Sequence, residues 1–193
     1  MILNKRIYAG LLAAGLLPVM HCAMAEDAAP TDITIEFTGS VKAPTCTIDS
    51  KTVHSVPLDE INLNKISTLP VGAATDEGEK RFSIYLNCPD QINQNNVSLK
   101  IEGGTDSSSP TLLTNTDTDT DGAKGLGFEL FSAMNGSATA LKVDNSEVPS
   151  ADYASRLNNG NDNLDFIVKY AKEASTVTAG DVASKATFTF TYK

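Results

Sequence analysis

The chain has 193 residues, 41% of them hydrophobic and 20% charged, a globular balance rather than a disordered or membrane-spanning one, and one domain is the default at this length. Fifteen Lys and Arg against 24 Asp and Glu give a net charge of -9, so no basic surface is on offer to a nucleic-acid backbone. Two His and three Cys leave little for a His/Cys metal cage or a CxxC redox centre, and no cofactor is expected.

Lys5 and Arg6 precede an apolar run from Ile7 to Met20, and Ala23-Met24-Ala25 supplies small residues before Glu26. This is the pattern of a secretory signal over residues 1–25. The apolar run is too short to cross a hydrocarbon core of about 30 Å as a helix. Cleavage after Ala25 removes two cations and no anion, so the mature charge is 13 minus 24, or -11. Cys46, Cys88 and His54 are then the remaining residues of their types. In an oxidising compartment two cysteines read as one disulfide, with two buried thiols as the alternative.

Beyond the signal the pattern alternates with period 2 and predicts an all-β chain. Expected strands are Ile33–Val41, Val53–Leu58, Arg81–Asn87, Val97–Ile101, Gly125–Phe131, Ala138–Val143, Asp165–Ala171 and Lys185–Tyr192. Asn135-Gly136 suggests a hairpin between the fifth and sixth of these, because Asn-Gly tolerates positive φ. The span Ile61–Gly78 reads as a short helix or a loop. Seven or eight such strands suggest a two-sheet sandwich of immunoglobulin-like type.

Two features invite chemistry and neither carries it. Asp117, Asp119, Asp121 and Gly122 match the first half of an EF-hand loop, but Phe128 stands where the bidentate Glu is needed and no flanking helices are expected. The run Thr114–Asp121 therefore reads as a solvated acidic loop. His54 is the one mature histidine, and no GxSxG, SxxK or HExxH motif accompanies it, so no enzyme is expected.

The ends of the mature chain are the informative parts. Ile33, Ile35, Phe37, Gly39 and Val41 alternate with polar residues, which describes a strand with one apolar face; Gly39 marks a place of close backbone approach. The last residues again alternate, with Ala186, Phe188, Phe190 and Tyr192 on one side. As an unpaired edge that strand would be an aggregation hazard.

In these residues the chain resembles a chaperone-usher pilin of the type 1 fimbrial class. The supporting features are Phe37-x-Gly39-x-Val41 followed by Cys46, the second cysteine in Phe82-Ser83-Ile84-Tyr85-Leu86-Asn87-Cys88, the apolar closing strand with Tyr192 next to last, and Gly180 fourteenth from the end. The resemblance implies an incomplete immunoglobulin-like sandwich that lacks its last strand and is completed by donor-strand exchange. It divides the chain into a signal peptide (1–25), a donor extension (26–42) and a pilin domain (43–193). It implies that Ile33, Ile35, Phe37, Gly39 and Val41 fill a neighbour's pockets, that Ala186, Phe188, Phe190 and Tyr192 border the groove, that Gly180 is the family's turn glycine and that Cys46 pairs with Cys88. Its implied partners are neighbouring subunits, a periplasmic chaperone and an outer-membrane usher, with a host receptor left open. The implied product is a surface fimbria that supports cell adhesion. Burying Ile33, Ile35, Phe37 and Val41 at about 1.5 to 3 kcal/mol each suggests roughly 6 to 12 kcal/mol before ordering costs. A self-contained secreted immunoglobulin-like binding module is the alternative reading.

Overall fold

The alternation is realised as strands packed in two antiparallel sheets. The computed structural model describes residues 36, 38–40, 45–88, 97–105, 109–134, 139–150, 153, 156–157 and 163–192. The chain divides into two units, Met1–Ser40 and Val41–Lys193. In the first, Glu36, Thr38, Gly39 and Ser40 are exposed and outside regular structure. Ile33, Ile35, Phe37 and Val41 lie outside the described residues, as does the Asn135-Gly136 turn.

Among the described residues the second unit holds β1 (Thr47–Ile48), α1 (Leu63–Ser67), β2 (Lys80–Asn87), β3 (Val97–Gly103), β4 (Leu112–Thr114), β5 (Leu126–Ser132), β6 (Asp144–Glu147), β7 (Asn163–Lys172) and β8 (Ala186–Tyr192). One sheet runs β1-β2-β7-β5-β4 and the other β6-β3-β8. Ile84 and Leu86 of β2, Leu99 and Ile101 of β3, Phe128 and Leu130 of β5 and Leu164 and Phe166 of β7 meet in one core. Side chains of period 2 from both sheets thus supply the buried layer of an all-β, immunoglobulin-like sandwich.

The outer face of β7 is also covered. Lys169 is buried, lies 5.0 Å from the centre of the Phe131 ring, and pairs with Asp76 and with Glu79 at 3.2 Å. Burial works against its charge, but the hydrogen bonds to Asp76 and Glu79 prevail and raise its pKa. Lys172 donates to the carbonyls of Ser67 (2.6 Å) and Leu69 (2.9 Å), a cation on the C-terminal end of α1. At the other end Asn62 caps the helix, its Oδ1 accepting from the Asn64 N–H at 2.9 Å.

Two expected strands are corrected. Residues 53–58 carry no strand: β1 pairs with β2 only at Asn87 and Leu86, and then the Thr52 hydroxyl takes the place of a ladder partner for Tyr85, so the chain leaves the sheet edge. Within 139–143 there is a single bridge, Ala140 to Phe131, and the regular strand is β6 just beyond it, paired with β3. The chain crosses there from one sheet to the other, which interrupts either ladder. The ambiguous span Ile61–Gly78 contains both α1 and irregular chain.

Candidate functional site

β8 pairs along its whole length with β3, placing Tyr192 opposite Val97, Phe190 opposite Leu99, Phe188 opposite Ile101 and Ala186 opposite Gly103. These cross-strand partners share one face of the sheet. On β3 that face is sealed, with Val97 5%, Leu99 0% and Ile101 0% exposed. On β8 all four residues are only half-buried although they pack on the same core. The asymmetry has a plain cause: β8 is the edge of its sheet and no described strand lies beyond it.

The apolar surface continues across the sandwich opening. The Phe188 ring lies 5.1 Å from Phe166 and 6.1 Å edge-on from Phe82, centre to centre. Phe82 in turn lines a cavity of about 540 Å³ with Val53, Val56 and Pro57. Val56 and Leu58 are half-buried against the same core. Phe82 thus adjoins both the Phe188 ring of β8 and, in the cavity, Val53, Val56 and Pro57. At the far end burial raises the Tyr192 hydroxyl pKa, against its hydrogen bond with the Cys46 main chain. Cys46 and Cys88 form a disulfide with an S–S distance of 2.06 Å. It fastens the start of β1 to the end of β2.

The other end of the β8 edge is closed by the acidic loop. The Asn115 amide donates to the carbonyls of Ala123 (2.9 Å) and Asp181 (3.0 Å), while its Oδ1 accepts from the N–H groups of Asp117 (3.0 Å) and Ala183 (2.8 Å). Thr116 N–H donates to Ala183 O at 2.7 Å, and Asp181 N–H to Asp121 O at 3.0 Å. Among the described residues, the outer edge has no main-chain partner beyond Ala183. Gly180 sits at φ +152, where an added Cβ would overlap Asp121 O and lie 2.5 Å from Ala123 N. Only glycine lets these two backbones approach so closely.

Of the residues expected to matter, Ala186, Phe188, Phe190 and Tyr192 share the half-buried face of β8, Cys46 and Cys88 are paired, and Gly180 packs against the acidic loop before β8. Gly39 is exposed, and a Cβ built on it meets nothing within 4 Å. Asn115, Phe82 and Val56 were not foreseen. Phe82 was within reach, since Phe82, Ile84 and Leu86 alternate with polar positions; Asn115 was hidden in the polar run it opens. Asp117 Oδ1 accepts from Asp119 N–H at 3.0 Å, a turn-forming bond. Among the described residues no group of three or more His, Cys, Asp or Glu side chains converges on a point. His54 is exposed in irregular chain.

Residues 35–193 match the family described as fimbrial protein. The chain belongs to that family. Similar solved structures include the P pilus rod subunit PapA, with a TM-score of 0.58 at 19% identity over 83% of this chain and 100% of that one. An antigen and type I fimbria protein of Burkholderia pseudomallei gives a TM-score of 0.50 at 23% identity, over 79% and 91% of the respective chains. Both likenesses are in fold. No curated protein matches the sequence. As a fimbrial protein the chain is a structural subunit of a surface fimbria and not an enzyme.

Proposed function

We propose that this fimbrial subunit polymerises head to tail, each copy laying residues Ile33–Val41 of its extension along the β8 edge of the next. The single observation that carries this is the half-buried apolar face of β8 beside the sealed face of β3. Length supports it as well. The edge strand β8 spans seven residues, which the nine from Ile33 to Val41 are long enough to cover. An incoming strand would gain main-chain ladder bonds along that edge, while Ile33, Ile35, Phe37 and Val41 fill pockets among Phe188, Phe190 and Phe82. In this reading the small size of Gly39 serves the pairing with a neighbour, at a place of close backbone approach.

In this reading residues 1–25 direct export, 26–42 form the donor extension and 43–193 the accepting domain. A periplasmic chaperone covers the groove before assembly, an outer-membrane usher exchanges it for the next subunit, and the fibre supports adhesion. A head-to-tail contact does not close on itself, so an open helical fibre results.

The test uses the intact chain produced in a host with its assembly partners. Phe37→Asp places a charge in a pocket and Gly39→Trp a ring where no depth remains. Both are expected to abolish surface filaments and the ladder of multimers in unheated detergent gels. Full filament yield from Phe37→Asp would refute the proposal.

A further inference from the structure

The cavity beside the groove carries charge. Lys51, Lys80 and Arg81 line it and no carboxylate does, so three of the fifteen Lys and Arg of a chain with net charge -9 meet at one place. Lys80 is held by Asp59 at 2.7 Å. Lys51 and Arg81 are exposed and have no ion pair among the described residues.

The cavity also borders unpaired main chain. In an antiparallel ladder, alternate residues turn both N–H and C=O to the same side. Tyr85 turns its pair away from β7, the N–H to Thr52 Oγ1 at 2.9 Å and the C=O to the Asp49 N–H at 2.8 Å. Ser83 and Arg81 turn theirs the same way, where β1 has already ended. Among the described residues these ladder groups have no partner, and they stand flanked by cations over an apolar floor of Val56 and Phe82. Such a surface selects an extended acidic peptide.

One such peptide is in the chain itself. Glu26, Asp27, Asp32 and Glu36 lie in the extension, and no Lys or Arg occurs from residue 26 until Lys42. We propose that the cavity of Lys51, Lys80 and Arg81 docks the acidic extension of a second copy and steers it into the adjoining groove. The inference rests on the donor-strand reading above and adds its electrostatic specificity. The carboxylates of Asp32 and Glu36 are drawn to the cations during approach, before the apolar face of the strand settles into the groove along β8. Phe82, shared between cavity and groove, joins the two parts of the site. Opposed charges gathered in a cleft raise association rates by roughly 10- to 1,000-fold, an effect that salt screens.

Filaments of the intact chain, dissociated in guanidinium and diluted to reassemble, are followed by light scattering at about 20 mM and about 500 mM salt. The double variant Lys51→Glu/Arg81→Glu is expected to reassemble about tenfold more slowly at low salt and near the parent rate at high salt. Adding Asp32→Lys and Glu36→Lys to the same chain is expected to restore the low-salt rate. An unchanged low-salt rate in the double variant overturns the inference, and so does a slowing that persists at high salt and is not restored. Phe37→Asp separates the two levels: if it too reassembles at the parent rate, the donor-strand reading itself has failed. If it does not, an unaffected Lys51→Glu/Arg81→Glu chain removes only the electrostatic step.

Discussion

Gly180→Ala is expected to cost about 3 to 4 kcal/mol, and the sum can be built from its surroundings. The added Cβ would lie 2.5 Å from Ala123 N and closer still to Asp121 O, so the two backbones must part by the better part of an ångström. Parting them stretches Asp181 N–H to Asp121 O (3.0 Å) and Ala123 N–H to Asp181 O (2.9 Å), each worth about 1 kcal/mol net. Holding alanine at φ +152 adds roughly 1 to 2 kcal/mol. For a chain of this size about 3 to 4 kcal/mol lowers the melting temperature by roughly 6 to 16 °C. Thermal unfolding followed by circular dichroism on the intact, oxidised chain measures it, with Gly39→Ala as the internal reference, since a Cβ there meets nothing within 4 Å. A loss below about 1 kcal/mol in Gly180→Ala would show that the loop and the segment before β8 slide apart freely, and the close approach at Gly180 would not exist as described.

Two further outcomes are expected. Reducing Cys46–Cys88, whose partners are 42 residues apart, removes about 4 kcal/mol on the chain-entropy account, and a melting shift of less than about 3 °C with both thiols titrated would contradict it. Glu129 is buried on β5 opposite Lys169, and burial raises its pKa from the ordinary 4.5, against a 2.8 Å hydrogen bond from the Thr111 hydroxyl. The folded chain then holds this proton more tightly than the unfolded chain, so Glu129 subtracts stability as pH rises from about 4.5 through the folded value. Glu129→Gln should therefore raise the melting temperature at neutral pH and leave it unchanged below pH about 4, whereas an equal loss at both pH values would be the wrong sign.

The long strands were legible because each buries one face against a core, and that leaves a period of two in the residues. Phe82, Ile84 and Leu86 of β2 and Phe188, Phe190 and Tyr192 of β8 show it directly. β1, β4 and β6 are two to four residues long, too short to register a period, and they owe their pairing to neighbours fixed by other parts of the chain. Residues 53–58 misled for the converse reason. Val56 and Leu58 alternate because they face the core, yet an apolar face does not guarantee a hydrogen-bonded partner, and here the chain has left β2. The apolar side of β8 could be read from sequence, but its openness could not, because whether an edge is paired is a property of topology. Asn115 was illegible for a related reason: a side chain that satisfies four backbone groups looks, in a run of Thr and Asp, like any other polar surface residue.

The bond between Cys46 and Cys88 also decides how tension would travel. A pull on the extension enters the domain just before β1, a strand of two residues that would peel from its neighbour almost at once. The disulfide diverts that pull to the end of β2, whose register with β7 runs from Lys80 to Tyr85 near the middle of the five-stranded sheet. Peeling breaks ladder bonds one after another, whereas shearing a strand against its neighbour loads many together. If the extension carries load between subunits as proposed, the load would pass through covalent sulfur into the five-stranded sheet. Within the domain, yielding would then begin in the β2–β7 ladder, not at β1.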